Sequence, residues 1–532
     1  MKKTLLLIGI LSTFLGAKIY TLSELSAMPQ SISKDFFIWR FIDDGNSTKE
    51  EALKAYSQTY RKSAKIKKAI RKKVGYLPEP DNKNRSKKDP KNFIIYPKTA
   101  SNKSLKSLRR LYKKIQAQGK YSDVLKMMTA PDPFVAFQDL PASTQSYIFN
   151  GVTFAYRLKR LNHRFSKEQL YFLAQEPQFN RTLHMIITHK GLDKIKSSLL
   201  YTPPIFDALN FKSRFLLAMN ALKLKREDKA TYYLEESLKR AKYQSQRDQV
   251  NFWLYLITKK RAYLERLYQS NQVNLYTLRA RDILNKPYPA VITPHLPVKL
   301  IADFDLHNPI DWEKIKKAIK EENSIQIDQR ANGFDSYHTE GVYSYLKEKA
   351  TNYTKPYYAM PYIDAMMGKS KERIALIYAI ARQESRFVPA SVSSSYALGM
   401  MQIMPFLIRH LAKEQKEELE LEEMFNPYVA IRYGDRHLDY LTKYLYHPLF
   451  VAYGYNGGIG FTKKILTKRK LFRAGEYEPY LSMELVEYEE SKEYGKKVLA
   501  NYVIYRNLLG VPTKITPLIE ELTDPLKTDK FR

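Results

Sequence analysis

Residues 374–405, IALIYAIARQESRFVPASVSSSYALGMMQIMP, constrain the fold more tightly than any other stretch of this 532-residue chain. Ile374, Ile377, Ala381 and Glu384 fall within about a quarter-turn of one helix face, so a carboxylate continues an apolar stripe. Ser370 is placed to cap the N-terminus, with Glu372 in the first turn. Phe387-Val388-Pro389 cannot easily extend the helix, so Glu384 belongs near its C-terminal end. Apolar neighbours and the negative end of the helix dipole both disfavour an ionised carboxyl there, which suits a general acid working near neutral pH. A glutamate at a helix end is ordinarily a solvated surface residue, so the assignment depends on the residues downstream of it.

Downstream come a serine-rich turn, Ser391, Ser393, Ser394 and Ser395, and then Gly399-Met400-Met401-Gln402-Ile403-Met404-Pro405. Gln402 places an amide among methionines, which needs a ligand or another polar group to satisfy it. With Glu384-Ser385-Arg386-Phe387-Val388-Pro389 ahead of it, the stretch resembles the soluble lytic transglycosylases, whose catalytic domain is similar to goose-type lysozyme. Gly454-Tyr455-Asn456-Gly457-Gly458 resembles that family's Y-N motif, and Glu484 and Glu490 precede Tyr494-Gly495-Lys496-Lys497-Val498, similar to its last motif. The resemblance covers about residues 357–509. Tyr396 stands where the family usually has glycine, Gly454 where it has alanine and Ile459 where it has proline.

The resemblance implies a lysozyme-like, mainly helical domain that cleaves the bond between N-acetylmuramic acid and N-acetylglucosamine in peptidoglycan. It implies Glu384 as the catalytic group and Ser393, Gln402, Met404, Tyr455, Asn456 and Glu484 as groove residues that bind the glycan. No Asp or Glu lies between Arg386 and Lys413, so the motif region supplies one carboxylate where glycosidases ordinarily use two. The family's chemistry uses one glutamate twice and closes a 1,6-anhydro ring without water. Two other classes stay open. A hydrolytic muramidase would draw its second carboxylate from Glu484, Glu487 or Glu490, and an inactive scaffold would only grip glycan.

Lys and Arg number 89 against 55 Asp and Glu, a net charge of +34 that favours polyanionic partners: nucleic acid, an anionic membrane surface or an acidic polymer such as peptidoglycan. Residues 1–17 have the charged, apolar and small-residue regions of a secretory signal cleaved after Ala17, and their apolar run is short for a membrane span. Export to the periplasm turns the charge away from nucleic acid and toward glycan strands, with peripheral association with the cell envelope compatible with it. Absence of cysteine excludes disulfides, thiol nucleophiles and thiolate metal sites. The nine histidines form no H-E-x-x-H pattern, so neither metal nor cofactor is expected.

The length calls for more than one domain. Beyond the basic, proline-bearing loop of residues 78–106, amphipathic helices succeed one another without strand alternation: 105–118, 143–158, 166–175, 211–224, 229–241 and 249–258. Segments 211–224 and 229–241, joined by a short turn, form a tetratricopeptide-like hairpin, although no strict repeat period holds. Prolines 287, 289, 294, 297 and 309 break the pattern. The expected fold is all-α: a signal peptide at 1–17, an irregular helical solenoid at 18–285, a helical linker region at 286–353, a lysozyme-like transglycosylase domain at 354–515, separable from the chain before it, and a mobile tail at 516–532.

Overall fold

The computed structural model describes residues 20–78, 95–114 and 119–532. The expected signal sequence at 1–17 and most of the basic loop lie outside them. The protein is all-α: among the described residues there is no strand, only isolated backbone bridges such as Ile292 to Tyr357 and Leu398 to Ile403. No helix among them is long and apolar enough to cross a membrane.

Two compact units result, one within residues 1–80 and 291–439, the other within 81–290 and 440–532. These divisions differ from the boundaries expected at 285, 353 and 515. The physical reason in the first unit is a shared core. Trp312, Ile315 and Ile319 of helix Pro309–Glu321, Ile327 and Ala331 of Ser324–Asn332, and Val342 and Leu346 of Glu340–Ala350 bury together with Val388, four residues after Glu384. The segment expected to be a linker therefore packs on the motif itself. A Cβ at Gly341 would lie 2.5 Å from the Phe387 carbonyl oxygen, so glycine is what lets helix Glu340–Ala350 come this close. Extended chain at Ile292 pairs with the domain entry, its N–H donating to Pro356 (2.9 Å) and its carbonyl accepting from Tyr358 (2.7 Å).

The N-terminal helices Leu22–Ala27, Ile32–Asp43, Lys49–Ser57 and Ala64–Val74 belong to the same unit. Each starts at a side-chain cap, Thr21, Ser31, Thr48 and Ser63 in turn, and Thr21 and Thr48 complete capping boxes with Glu24 and Glu51.

In the second unit the predicted hairpin forms from Phe211–Lys223 and Glu227–Leu238, with the small Ala218, Ala221 and Ala230 fully buried. Gln244–Thr258, Arg261–Tyr268 and Leu275–Leu284 continue the array, and Pro448–Gly457 packs on Glu489–Leu508. A Cβ at Gly495 would lie 2.3 Å from the Tyr453 ring, which accounts for the glycine in that last motif. The tail expected to be mobile is instead packed. Ile515, Ile519 and Leu522 are buried, Thr516 donates to Asp282 (2.6 Å), and Arg532 pairs with Asp529 (2.7 Å). Its prolines occupy helix first turns, where a missing N–H costs nothing.

Candidate active site

Helix Lys371–Glu384 begins at Ser370, whose side chain accepts from the Arg373 N–H, and ends on Glu384. Its interior is apolar and buried from Ile374 to Ala381, and Glu384 itself is half-buried. Tyr378 of this helix donates to the Met360 and Pro361 carbonyls at 3.0 and 3.1 Å, fixing the helix against the domain entry. Two successive left-handed residues, Arg386 (φ 53°) and Phe387 (φ 64°), then reverse the chain, and Phe387 and Val388 are driven into the core.

Ser385 does what the sequence alone did not assign to it. Its N–H closes the helix on Ala381 (3.0 Å), and its hydroxyl donates to the Met400 carbonyl (2.7 Å), tying the carboxylate-bearing end to the glycine-methionine loop. Two arginines flank this end. Arg382 and Arg386 both pair with Glu348, whose side chain is 3% exposed, and Glu348 also accepts from the Tyr357 N–H. Nothing in the local pattern around Glu348 announced this role.

The serine-rich turn is held from within. Ser393 exchanges backbone hydrogen bonds with Ala397 and Tyr396 (3.0 and 2.8 Å), and its hydroxyl accepts from the Ala397 N–H (2.9 Å). Leu398 and Ile403 pair in both directions, and Gly399 donates to Ser391 (3.0 Å). Gly399 has φ 74°, and a Cβ there would sit 2.0 Å from the Met424 carbonyl oxygen, so only glycine fits. The Gln402 amide donates to the Ser391 and Gly399 carbonyls at 3.0 and 2.8 Å. The polar partner its position demanded is thus the turn's own backbone. Met400, Met401 and Ile403 are buried, while Gln402 and Met404 are half-buried, Met404 at the head of helix Pro405–Gln415. Glu384, Ser393, Gln402 and Met404 are therefore joined by one hydrogen-bonded loop system in the first unit.

Tyr455, Asn456 and Glu484 lie in the second unit. Tyr455 and Asn456 are half-buried at the C-terminal end of helix Pro448–Gly457, and the side-chain amide oxygen Oδ1 of Asn456 accepts from the Ser491 hydroxyl (2.7 Å). Gly458, at φ 85°, ends that helix. Glu484 corrects the expectation of a groove acid. It is 1% exposed, accepts from Gln249 (2.9 Å) and Tyr276, and pairs with Lys496 (3.1 Å). Burial works against its charge, but the Lys496 ammonium beside it holds the carboxyl below its ordinary range; in turn Lys496 is raised well above its own. The pair is ionised, internal and structural. Among the described residues no three metal-ligating side chains gather into a site.

The all-α scaffold ends a buried helix on a carboxylate and ties the serine-and-glutamine turn to that end through Ser385. Residues 361–476 match the transglycosylase SLT domain. The chain is 30% identical over 135 residues to the soluble lytic murein transglycosylase of Salmonella typhimurium, and equally to that of Escherichia coli K12. In each case the match takes in 25% of this chain and 20% of the relative. Among solved structures it is similar to the lytic transglycosylase Slt of Pseudomonas aeruginosa, in an inactive mutant form (14% identity, 91% of this chain and 79% of that one, TM-score 0.48). It is also similar to the 70 kDa soluble lytic transglycosylase of Escherichia coli (16% identity, 96% and 85%, TM-score 0.47).

Proposed function

We propose that the protein is a lytic transglycosylase of the periplasm that cleaves the β-1,4 bond between N-acetylmuramic acid and N-acetylglucosamine in peptidoglycan strands. The carrying observation is that Glu384 is the one carboxylate of the loop system that joins Ser393, Gln402 and Met404. Glu348 is buried between two arginines. Of the three carboxylates a hydrolase could recruit, Glu484 is buried against Lys496, and Glu487 against Lys464 (2.5 Å) and Arg469 (3.4 Å); Glu490 alone is exposed.

In the proposed cycle Glu384 donates its proton to the glycosidic oxygen as the bond to the muramic C1 breaks. The resulting carboxylate takes the proton of the same sugar's 6-hydroxyl as O6 bonds to C1, leaving a 1,6-anhydro end and a Glu384 protonated again. An internal nucleophile held in place replaces a second carboxylate and water. In this reading Ser393, Gln402 and Met404 of the first unit bind glycan, and so do Tyr455 and Asn456 of the second; Glu484 does not.

Digestion of sacculi in water enriched in heavy oxygen tests it. Wild type should release 1,6-anhydromuropeptides without the label, and Glu384→Gln should lose activity by at least roughly 10²–10⁴-fold. Heavy oxygen in the new ends, with loss of activity in Glu490→Gln, would falsify the assignment in favour of a hydrolase.

A further inference from the structure

Tyr396 occupies a left-handed backbone conformation, φ 61°, in the middle of the serine-rich turn. Such a conformation is ordinarily given to glycine, and an aromatic residue keeps it only where its surroundings over-determine it. The surroundings are the N-terminal helices. The Tyr396 ring is 1% exposed, stacked on Trp39 (centroids 5.8 Å, interplanar 23°) and met edge-on by Phe36 (6.1 Å). Its hydroxyl hydrogen-bonds the Ser63 hydroxyl (3.2 Å). Lys65, in the first turn of the helix that Ser63 caps, donates to the Ser395 carbonyl (2.7 Å), and its ammonium lies 5.4 Å from the Tyr396 ring and 5.6 Å from Trp39.

The same helices hold the segment behind the loop. Phe36 meets Phe425 (6.1 Å), and Arg40 pairs with Glu420 (2.6 Å) and Glu422 (2.9 Å), on either side of Leu421 and just ahead of Met424, whose carbonyl backs Gly399. Arg409, of the helix that begins after Met404, closes over Trp39 (5.8 Å). Every one of these contacts lies within the first unit.

We infer that the N-terminal helices are a working part of the active site: through Trp39, Ser63 and Lys65 they grip Tyr396 and thereby position the turn that presents Ser393 and Gln402. Tyr396 and Trp39 are positioning residues, with no contact to the reacting atoms. Glycine at position 396 would permit this backbone without strain but would supply nothing to hold it there; with tyrosine, the turn is held by a clasp made more than three hundred residues away in the chain. The inference rests on the transglycosylase reading for its activity arm only.

The test compares full-length wild type with Tyr396→Gly, Trp39→Ala, Lys65→Met and Tyr396→Phe by amide hydrogen exchange and by kcat/KM on sacculi. Tyr396→Gly and Trp39→Ala should speed exchange at Ser393, Ala397 and Gly399 while leaving Ile377 and Ile380 protected, and should lower kcat/KM by roughly 10-fold or more, the scale of a misplaced contact group. Lys65→Met should do the same to a smaller degree, and Tyr396→Phe, which keeps the stack, should restore both readouts. Wild-type exchange at those three amides with wild-type kcat/KM in Tyr396→Gly overturns the clasp, and so does loosening spread evenly through the unit. A wild type that forms no anhydro product refutes the transglycosylase reading instead, and the exchange data together with glycan-strand Kd then decide the clasp on the same terms.

Discussion

Glu348 and Arg382 meet at 2.5 Å, both side chains at or below 10% exposure, two residues before Glu384 in the chain. Arg386, two residues after Glu384, takes the other oxygen of the same carboxylate. The helix end that carries the proposed acid is thus pinned on both sides by one residue of a helix that the sequence presented as linker.

Removing that carboxylate leaves two guanidinium groups without their buried counter-charge. Glu348→Ala should cost about 3 kcal/mol or more of stability, the range found when one partner of a buried pair is deleted. Denaturant unfolding measures it. Activity of the folded fraction should fall as well, because the end of helix Lys371–Glu384 loses its anchor.

Glu340, on the same helix as Glu348, is buried, and burial raises its carboxyl from the ordinary 4.5 to about 7, against the stabilising Met360 N–H donated to it. A folded pKa above the unfolded one means the native state binds more protons between those values, so its contribution is whole below about pH 4.5 and is lost as pH rises through about 7. Glu340→Gln keeps the acceptor and cannot ionise. It should match wild type at pH 4 and exceed it by on the order of 3 kcal/mol at pH 8. Equal unfolding free energies at pH 8 would show that the carboxyl is solvated.

For Glu484, two roles give opposite signatures. A glycan-contacting acid would raise KM when neutralised and leave the melting temperature alone. The buried pair with Lys496 requires instead that Glu484→Gln destabilise the fold by about 3 kcal/mol, with KM of the folded enzyme unchanged. Thermal unfolding beside steady-state kinetics on soluble glycan separates them.

Local signals were the legible ones. Ser370 as cap, Pro389 as stop and the hairpin that closes on Ala218, Ala221 and Ala230 all depend on residues a few positions apart or on small side chains. The features that stayed hidden are made by distant partners. Tyr396 reads as an oddity until Trp39 is beside it, and Glu484 reads as one more motif acid until Tyr276 and Lys496 enclose it. The tail was misjudged because Pro517 and Pro525 look like breakers, whereas both sit in first turns and leave Ile515, Ile519 and Leu522 free to bury.

The domain boundary at 354 makes the sharpest test of how far the chain divides. A fragment of residues 354–532 contains every residue proposed to touch substrate, and its sequence reads as a self-sufficient domain. In the first unit it would lack Glu348, Val342 and Leu346 beneath Arg382, Arg386 and Val388, and Trp39 beneath Tyr396. In the second it would lack Gln249 and Tyr276 around Glu484, and Asp282, which accepts from Thr516. Each loss removes an apolar support, a counter-charge or a hydrogen-bond partner from a side chain that stays in the fragment, and together such losses exceed the roughly 5–15 kcal/mol that holds a domain folded. The fragment should therefore show weak helical ellipticity, no cooperative thermal transition and no muropeptide release, whereas the full-length protein should show strong ellipticity, a cooperative transition and release. A cooperative transition of the fragment with kcat/KM near that of the whole chain would show that the N-terminal helices and the linker helices are accessories, and would remove the clasp on Tyr396 along with them.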